Sequence, residues 1–263
     1  MVSKYKLKGT IVGLSIISIC LLLALITSRY SFFFQRSSTT NTKIVGNNAQ
    51  ATAINATLMP TLTTSTESQP LFSDNFANTS KGWSLSSVSG YTRSIHNSTL
   101  TLADANHGIL TESLPTDALY DDFMITVSFT LLQANNDDSV GLYVRGDSNL
   151  DHDYRIDLFG DSSYAISKEF LDTNNTPQVK VLVGQTKTTV LRPVGQQNNV
   201  TVAMKGSVLV LLINGSYINS VIDTDYTTGQ IALFVQNGNS SNGVEASFGS
   251  VAVYSAPQQL PAN

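Results

Sequence analysis

The sequence predicts an all-β chain, a two-layer antiparallel sandwich that follows an N-terminal transmembrane helix. Three observations lead to this prediction. After Leu71 the chain consists of short alternating or apolar runs separated by Gly, Asn, Asp and Ser. No long amphipathic period interrupts these runs, which is typical of strands and turns rather than of helices. The helix is predicted instead at the head of the chain, from an uncharged, apolar run between Gly9 and Ser28.

The apolar run at residues 9–28 is long enough to cross a bilayer. About 20 helical residues cover the roughly 30 Å hydrocarbon core. Lys4, Lys6 and Lys8 precede the run and favour a cytoplasmic N-terminus. We therefore expect a single-pass cell-membrane protein with a cytoplasmic tail at residues 1–8. The lipid bilayer is the expected partner of residues 9–28, and the rest of the chain is expected to be extracellular.

Two other kinds of export segment compete with a retained signal anchor. A cleaved signal peptide usually has an apolar core of only 7–15 residues that ends in a small-x-small site. The best candidate site here ends at Ser28, and the bulky Ile26 stands where a small residue is needed. A lipoprotein would need a small residue before its cysteine, but Cys20 follows Ile19. The sequence therefore favours the retained anchor.

Residues 29–70 are predicted to be a disordered stalk, because Ser, Thr, Asn and Ala dominate them from Ser37 onward without a hydrophobic period. The charge balance changes at the end of this stretch. Six of the fifteen basic residues but only one of the nineteen acidic residues precede Leu71. The exported part is therefore acidic and has no Lys/Arg cluster, which argues against nucleic-acid binding. It also contains no cysteine, so packing rather than disulfides must stabilise it.

The clearest strands form a meander between residues 199 and 223. Asn214-Gly215 lies between two β-rich runs and predicts a tight hairpin turn, because both residue types tolerate positive φ. Gly206-Ser207 predicts the turn before it. The predicted strands of the meander and of the rest of the sandwich are Asn199–Lys205, Val208–Ile213, Tyr217–Asp223, Phe123–Leu132, Val140–Arg145, Tyr154–Phe159, Tyr164–Phe170, Val179–Val183, Gln230–Gln236 and Val244–Tyr254.

The apolar pattern predicts the register of one hairpin. Pairing Ile156 with Ile166 and Leu158 with Tyr164 places the apolar side chains on one face and leaves residues 159–163 as the loop. The opposite, outer face of this hairpin and of the preceding strand is then polar. The side chains expected there are Tyr143, Arg145, Arg155 and Asp157.

These four outer-face side chains are the candidate ligand-binding residues. A sugar site needs an aromatic surface beside groups that hydrogen-bond hydroxyls. Tyr143 offers the ring, and the two arginines and the aspartate offer the hydrogen bonds. The alternative is cross-strand pairing of Arg with Asp, which is common on any solvated sheet. The single tryptophan, Trp83, is expected in the core.

Catalytic signatures are missing from the exported sequence. Its three glutamates, Glu112, Glu169 and Glu245, lie far apart, so the Glu-x-Asp-x-x-Glu strand of a retaining glycoside hydrolase is absent. The three histidines show no spacing typical of zinc ligands. We therefore predict no catalytic residue and no cofactor.

Residues 147–153 resemble the start of a calcium loop, because oxygen-bearing side chains stand at alternate positions. His152 stands where such a loop needs glycine, and Leu158 stands where a bidentate glutamate should close the shell. An acidic hairpin loop is therefore favoured, and calcium stays open as a minor hypothesis. The candidate calcium ligands are Asp147, Asn149, Asp151 and Asp153.

A series of short motifs appears in order between about Leu71 and Ala256. The motifs lie at residues 74–76, 81–83, 141–145, 154–156, 163–168, 211–215, 223–229 and 248–254. Together they resemble the concanavalin A-like lectin/glucanase superfamily, in particular the bacterial membrane-anchored branch related to the 3-keto-disaccharide hydrolase domain. The resemblance implies a jelly roll of two antiparallel sheets over residues 71–256, with a C-terminal tail at 257–263, in a superfamily where carbohydrate recognition is common.

The function expected from these observations is a membrane-tethered, non-catalytic module that binds a carbohydrate or another surface polymer. Two alternatives stay open. One is a glycan-processing enzyme, either 3-keto-disaccharide hydrolase-like or a glycoside hydrolase, which needs convergent carboxylates with raised pKa. The other is an adhesion or sensory ectodomain that binds protein, which needs a sizeable apolar patch. A carbohydrate-binding module would instead expose aromatic side chains in a shallow groove.

Overall fold

The structure, a computed structural model, describes residues 69–240 and 242–260. These residues form strands joined by turns and loops. No α-helix occurs among these residues, so they are all-β, as the sequence predicts. In chain order the strands are β1 Phe72–Asp74, β2 Tyr91–His96, β3 Thr99–Asp104, β4 Ile109–Ser113, β5 Phe123–Gln133, β6 Ser139–Gly146, β7 Asp153–Phe159, β8 Ser163–Leu171, β9 Pro177–Lys187, β10 Gln197–Lys205, β11 Val208–Ile213, β12 Ser216–Ile222, β13 Gln230–Gln236 and β14 Val244–Ser255.

The strands form two antiparallel sheets. The eight-stranded sheet has the order β12-β11-β10-β5-β14-β3-β2, and β1 also pairs with β14. The six-stranded sheet has the order β4-β13-β6-β7-β8-β9. Neighbours in each sheet come from distant parts of the chain, as in β5 with β14 and β6 with β13. The fold is therefore a jelly-roll sandwich, which confirms the predicted fold class.

Apolar side chains that alternate along the strands fill the space between the sheets. Ile125, Val127 and Phe129 of β5 project into it from the eight-stranded sheet, and Leu142 and Ile156 meet them from the six-stranded sheet. Each of these side chains is at most 2% exposed. Burying one large aliphatic or aromatic side chain contributes about 1.5–3 kcal/mol, so this layer is the main source of stability for a region without disulfides.

The tryptophan belongs to this core, as predicted. Trp83 is 6% exposed, and its ring lies 5.3 Å from the ring of Phe76 and 6.2 Å from that of Phe72. Its indole N–H donates to Asp74 Oδ2 at 2.7 Å. Trp83 therefore packs the end of the sandwich and offers no exposed surface for a sugar.

The meander and its turns form as predicted. Asn214 and Gly215 have φ of 50° and 78°, the conformation for which the Asn-Gly pair was expected. The Asn214 side chain also donates to the Val190 carbonyl and to Asn198 Oδ1, both at 2.8 Å, which ties this turn to a neighbouring loop.

The predicted register of the β7–β8 hairpin is confirmed. Ile156 pairs with Ile166 and Leu158 pairs with Tyr164. The same register places Asp153 opposite Glu169 at the other end of the hairpin. The strands extend one residue further into the turn than expected, so the loop is residues 160–162.

Four strands were not predicted from the sequence: β1, β2, β3 and β4, all in the first part of the sandwich. β1 has only three residues, and β2 and β4 are the outermost strands of their sheets. An edge strand buries fewer side chains, and β2 has no fully buried residue. Its composition is correspondingly polar, so the hydrophobic pattern that marks the central strands is missing from it.

The predictions for the N-terminal region lie outside the described residues. These are the cytoplasmic tail at 1–8, the transmembrane helix at 9–28 and all but the last two residues of the stalk at 29–70. Within residues 69–240 and 242–260, no helix has the length and apolar character needed to span a membrane.

Candidate functional site on the outer face of the six-stranded sheet

A cluster of charged and aromatic side chains lies on the face of the six-stranded sheet that is turned away from the interior of the sandwich. Strand alternation places Tyr143 of β6 and Arg155 of β7 directly opposite each other on this face. Asp153 and Glu169 are paired in the same way between β7 and β8. We call this set the outer-face cluster, and its members are Tyr143, Asp153, Arg155, Asp157, Glu169, Phe234 and Gln236.

Arg155 lies at the centre of the cluster. Its guanidinium donates to Asp157 Oδ1 at 2.7 Å and to Glu169 Oε1 at 3.2 Å, and it also donates to Gln236 Oε1. The guanidinium carbon lies 4.7 Å from the ring centroid of Phe234, within the range of a cation–π contact. Burial alone would lower the pKa of Arg155, but the surrounding carboxylates raise it, so the guanidinium stays charged.

Two aromatic rings lie beneath the charged groups. The rings of Tyr143 and Phe234 are 4.9 Å apart, and they are 3% and 0% exposed. Gly141 makes this arrangement possible, because a Cβ at that position would lie 2.7 Å from the Phe234 ring and 1.9 Å from the Ile156 carbonyl oxygen. Burial raises the pKa of Tyr143, and its hydroxyl lies 3.5 Å from Glu169 Oε1. The rings thus support the charged groups and are not exposed.

The carboxyl groups of the cluster differ in their partners. Asp157 accepts hydrogen bonds from Arg155 and from Ser139 Oγ, the latter at 2.8 Å. Burial raises the pKa of Glu169, although the charge of Arg155 opposes that rise. Burial and the neighbouring charge of Glu169 raise the pKa of Asp153 to about 9, so this side chain is protonated at neutral pH. Convergent carboxyl groups with raised pKa are typical of functional sites, although structural networks produce them too.

The cluster reaches solvent on the side of β9. Glu169 exposes 20% of its side chain, whereas Arg155 and Asp157 each expose only 8%. Beyond Glu169, its partner on β9 is Val179, which is 47% exposed, and the nearby Val181 is 65% exposed. A ligand would therefore meet Glu169 first and the buried members of the cluster afterwards.

Arg145 does not lie with the other predicted ligand-binding residues. A register shift between β6 and β13 falls beside it, where Gly146 pairs with Gln230 and Val144 pairs with Ile231. Arg145 itself has a positive φ of 52°, as expected for a residue in a β-bulge. The extra residue breaks the strand alternation on which the expectation of an outer-face Arg145 rested, so that expectation is wrong.

The Arg145 side chain instead holds loops together. Its guanidinium donates to the backbone carbonyls of Asp121, Gly206 and Tyr226 at 2.6–3.0 Å and lies 3.5 Å from Asp122 Oδ1. The residue is 2% exposed. With its donors used by these partners, Arg145 positions three segments of backbone around the end of β6.

The four candidate calcium ligands also separate in the structure. Asp147 organises its own loop, accepting hydrogen bonds from the backbone N–H groups of Asn149 and Asp151 at 3.1 and 2.9 Å and lying 3.0 Å from His152 Nδ1. Asp153 lies in the outer-face cluster. Among residues 69–240 and 242–260, no three His, Cys, Asp or Glu side chains form a group that could hold a metal ion. The arrangement is that of an acidic hairpin loop.

Sequence reasoning missed three members of the cluster: Glu169, Phe234 and Gln236. A signal for Glu169 was present, because the register that pairs Ile156 with Ile166 also pairs Asp153 with Glu169. No comparable signal existed for the two β13 residues. They join the cluster because β13 lies beside β6, and the two strands are far apart in the sequence.

Solved structures of bacterial proteins share this fold. The carbohydrate-binding module CBM66 from Bacillus subtilis matches with a TM-score of 0.50 and 17% sequence identity, over 66% of this chain and 96% of that one. A Bacillus subtilis protein of unknown function with a galectin-like fold matches with a TM-score of 0.54 and 12% identity, over 73% of this chain and 98% of that one. A glycoside hydrolase family 16 endo-glucanase from Bacteroides ovatus matches with a TM-score of 0.52 and 11% identity, over 70% of this chain and 99% of that one.

These likenesses define the class of fold as a concanavalin A-like jelly roll, as the sequence motifs indicated. At 11–17% identity they show the fold alone. No protein-family model matches the sequence, and the search of curated proteins found no match. The relation to the 3-keto-disaccharide hydrolase branch therefore stays a prediction.

Proposed function

We propose that this protein binds carbohydrate through the outer-face cluster of its six-stranded sheet. The observation that carries the proposal is a set of hydrogen-bonding and charged groups, centred on Arg155, on the sheet face that the other sheet leaves free. The fold is shared with a carbohydrate-binding module and with glycanases, which supports the same ligand class.

Polar groups, not a stacked ring, would make the first contacts with the sugar. Glu169 and Gln236 both bond to Arg155, and both are partly exposed. A carboxylate and an amide can accept from and donate to sugar hydroxyls, while Arg155 fixes their orientation from below. Tyr143 and Asp157 support Arg155 and complete the predicted ligand-binding set, from which Arg145 is now removed.

We further propose that residues 9–28 hold the sandwich outside the cell membrane. The support is the sequence alone: a span-length apolar run, three leading lysines and a long polar stretch before the first strand. Protease added to intact cells should release the sandwich and leave a membrane-bound N-terminal fragment. Full protection of the sandwich would contradict this topology.

A glycan array tests the binding proposal. The full chain would be applied in a detergent without a sugar headgroup, with and without calcium. We expect selective binding that Glu169→Gln weakens at least about tenfold, since a charge-assisted hydrogen bond contributes about 1.5–3 kcal/mol. The matched control is Glu245→Gln, which makes the same change on the eight-stranded sheet and should leave binding unaltered. Binding to no glycan, or an equal loss in both variants, would contradict the proposal.

A glycan-processing enzyme is the second candidate, and one observation favours it. Asp153, protonated at neutral pH, lies opposite Glu169 across two neighbouring strands. A protonated acid beside a second carboxyl group is the pairing that acid–base cleavage of a glycosidic bond requires. The same array distinguishes the two functions, because an enzyme would shorten or release an arrayed sugar and Glu169→Gln would stop that release.

A further inference from the structure

Asp153 is buried without a hydrogen-bond partner. It is 0% exposed, and neither of its carboxyl oxygens accepts a hydrogen bond. Buried polar atoms are nearly always paired, and an unpaired one costs free energy. Asp153 also faces a second carboxyl group, that of Glu169, at the directly opposite position on β8. Asp153 is therefore an acid without a polar partner at the point where two acids meet, and in its ionised form it would be an acceptor to which no described residue donates.

The surrounding residues leave Asp153 without a donor. The terminal nitrogens of Arg155 bond to Glu169, Asp157 and Gln236, and no described residue donates to Asp153. With all groups ionised, the cluster would carry three carboxylates and one guanidinium. The cluster therefore has three acidic groups and one basic group. Glu169 receives a hydrogen bond from Arg155, whereas Asp153 receives none, and Arg155 Nε is also buried without a partner.

We propose that the outer-face cluster binds the protonated amine of an amino sugar, with the ammonium group between Asp153 and Glu169. This inference rests on the proposed carbohydrate function and names the ligand class of the same site. An ammonium group carries three N–H donors and one positive charge, so it supplies both of the missing features.

An ammonium group fits this site better than a divalent metal ion does. Calcium takes six to eight oxygen ligands, whereas the described residues offer no group of three possible metal-binding side chains here. Arg155 also lies among the same carboxylates and would repel a double charge. A neutral N-acetylated sugar would bring a bulkier group with a single N–H and no charge to compensate the acids.

Binding should change the protonation of Asp153. In the free protein burial and the charge of Glu169 raise its pKa to about 9, whereas an ammonium beside it would favour the ionised form. Asp153 would then release a proton on binding. Six titratable or charged groups from its own and neighbouring segments act on Asp153 or respond to it: Arg155, Glu169, Tyr143, Tyr226, Asp147 and Asp151.

Calorimetry on the full chain tests the inference. Oligomers of glucosamine with free amines would be compared with N-acetylated oligomers of equal length near pH 6, where amines are protonated and Asp153 is neutral. Titrations in two buffers with different ionisation enthalpies report the protons released. We expect the free-amine oligomer to bind at least about tenfold tighter, with a proton release that the N-acetylated oligomer does not show.

Variants separate this inference from the broader carbohydrate proposal. Asp153→Asn should abolish the proton release and most of the preference for the free amine, while Glu245→Gln should retain both. Equal binding of the two oligomers without proton release would overturn the amino-sugar inference and leave carbohydrate binding intact. Binding of neither oligomer, with no glycan bound on the array, would remove the proposed function as well. A lysine-rich peptide that binds as tightly as the amino sugar would overturn the assignment to a sugar.

Discussion

The interior of the sandwich and the centre of the outer-face cluster are both buried but chemically opposite. Phe248 and Leu142 between the sheets are 1% and 0% exposed, and Phe234 and Arg155 on the outer face are 0% and 6% exposed. The interior is apolar throughout its central layer. The cluster instead contains three carboxyl side chains of β7 and β8, which lie around the guanidinium of Arg155.

The comparison shows that the burial of apolar side chains and the burial of charged side chains differ in their free-energy cost. Apolar side chains gain free energy directly on leaving water. Buried charges lose hydration, and only good pairing offsets that loss, so such a group is a weak source of stability. This cost is the reason why we propose the binding site at the cluster and not in the core.

The first prediction concerns the interior. Phe248→Ala should lower the free energy of unfolding by about 3–5 kcal/mol, because it removes a buried ring and leaves a cavity. The loss should be nearly the same from pH 5 to 8, since no titratable group is involved. Urea denaturation at several pH values measures it. A loss below about 1 kcal/mol would contradict the assignment of this residue to the core.

The second prediction concerns the centre of the cluster. Arg155→Met should lower the free energy of unfolding by about 3 kcal/mol or more at neutral pH, because it leaves buried carboxyl groups without their cation. The cost should shrink under acid conditions, where these groups take up protons. Arg192→Met is the matched control, since the Arg192 side chain is exposed and donates to the backbone carbonyl of Gln197. Equal effects of the two substitutions would show that the cluster is not a buried charge network.

The third prediction uses the pKa of Asp153, which rises from an ordinary value of 3.8 to about 9 in the folded chain. Between these values the folded state holds a proton that the unfolded state releases. Its contribution to stability is therefore fully present below about pH 4 and is lost as the pH rises toward 9, by up to about 1.4 kcal/mol per pH unit. Asp153→Asn should remove this slope from urea midpoints measured at pH 5 to 8. Parallel slopes for the two proteins would contradict the buried acid.

The fourth prediction concerns an exposed ion pair. Lys187 Nζ lies 2.9 Å from Asp161 Oδ2, but the lysine side chain is 70% exposed. Water and salt screen such a pair, so Lys187→Ala should change the free energy of unfolding by less than about 1 kcal/mol. A thermal melt at low and high salt measures the effect. A loss comparable to that of Arg155→Met would show that burial does not decide what an ion pair contributes here.

Much of the fold could be predicted from the sequence, because apolar side chains alternate regularly along the central strands. The β7–β8 register followed from the requirement that Ile156 and Ile166 share a face, and it was correct. The same register implies the pairing of Asp153 with Glu169. The sequence pattern instead predicts Asp153 as a candidate calcium ligand. The edge strands β2 and β4 were missed because partial burial leaves little hydrophobic signal.

The composition of the candidate site was only partly accessible, for two physical reasons. A β-bulge adds one residue without a distinct sequence signal, and at Arg145 it broke the alternation that had placed the residue on the outer face. Phe234 and Gln236 reach the cluster because β13 lies beside β6. That neighbour relation depends on the whole jelly-roll topology, which local patterning does not encode.

The proton that Asp153 retains also affects how the molecule migrates in an electric field. The formal net charge of −4 and the sequence isoelectric point of about 5.2 assume that every aspartate ionises normally. At that pH a carboxyl group with a pKa of about 9 is neutral, so Asp153 contributes no negative charge to the native protein and one to the denatured chain. Native isoelectric focusing should accordingly find the folded molecule at a higher pH than focusing in urea.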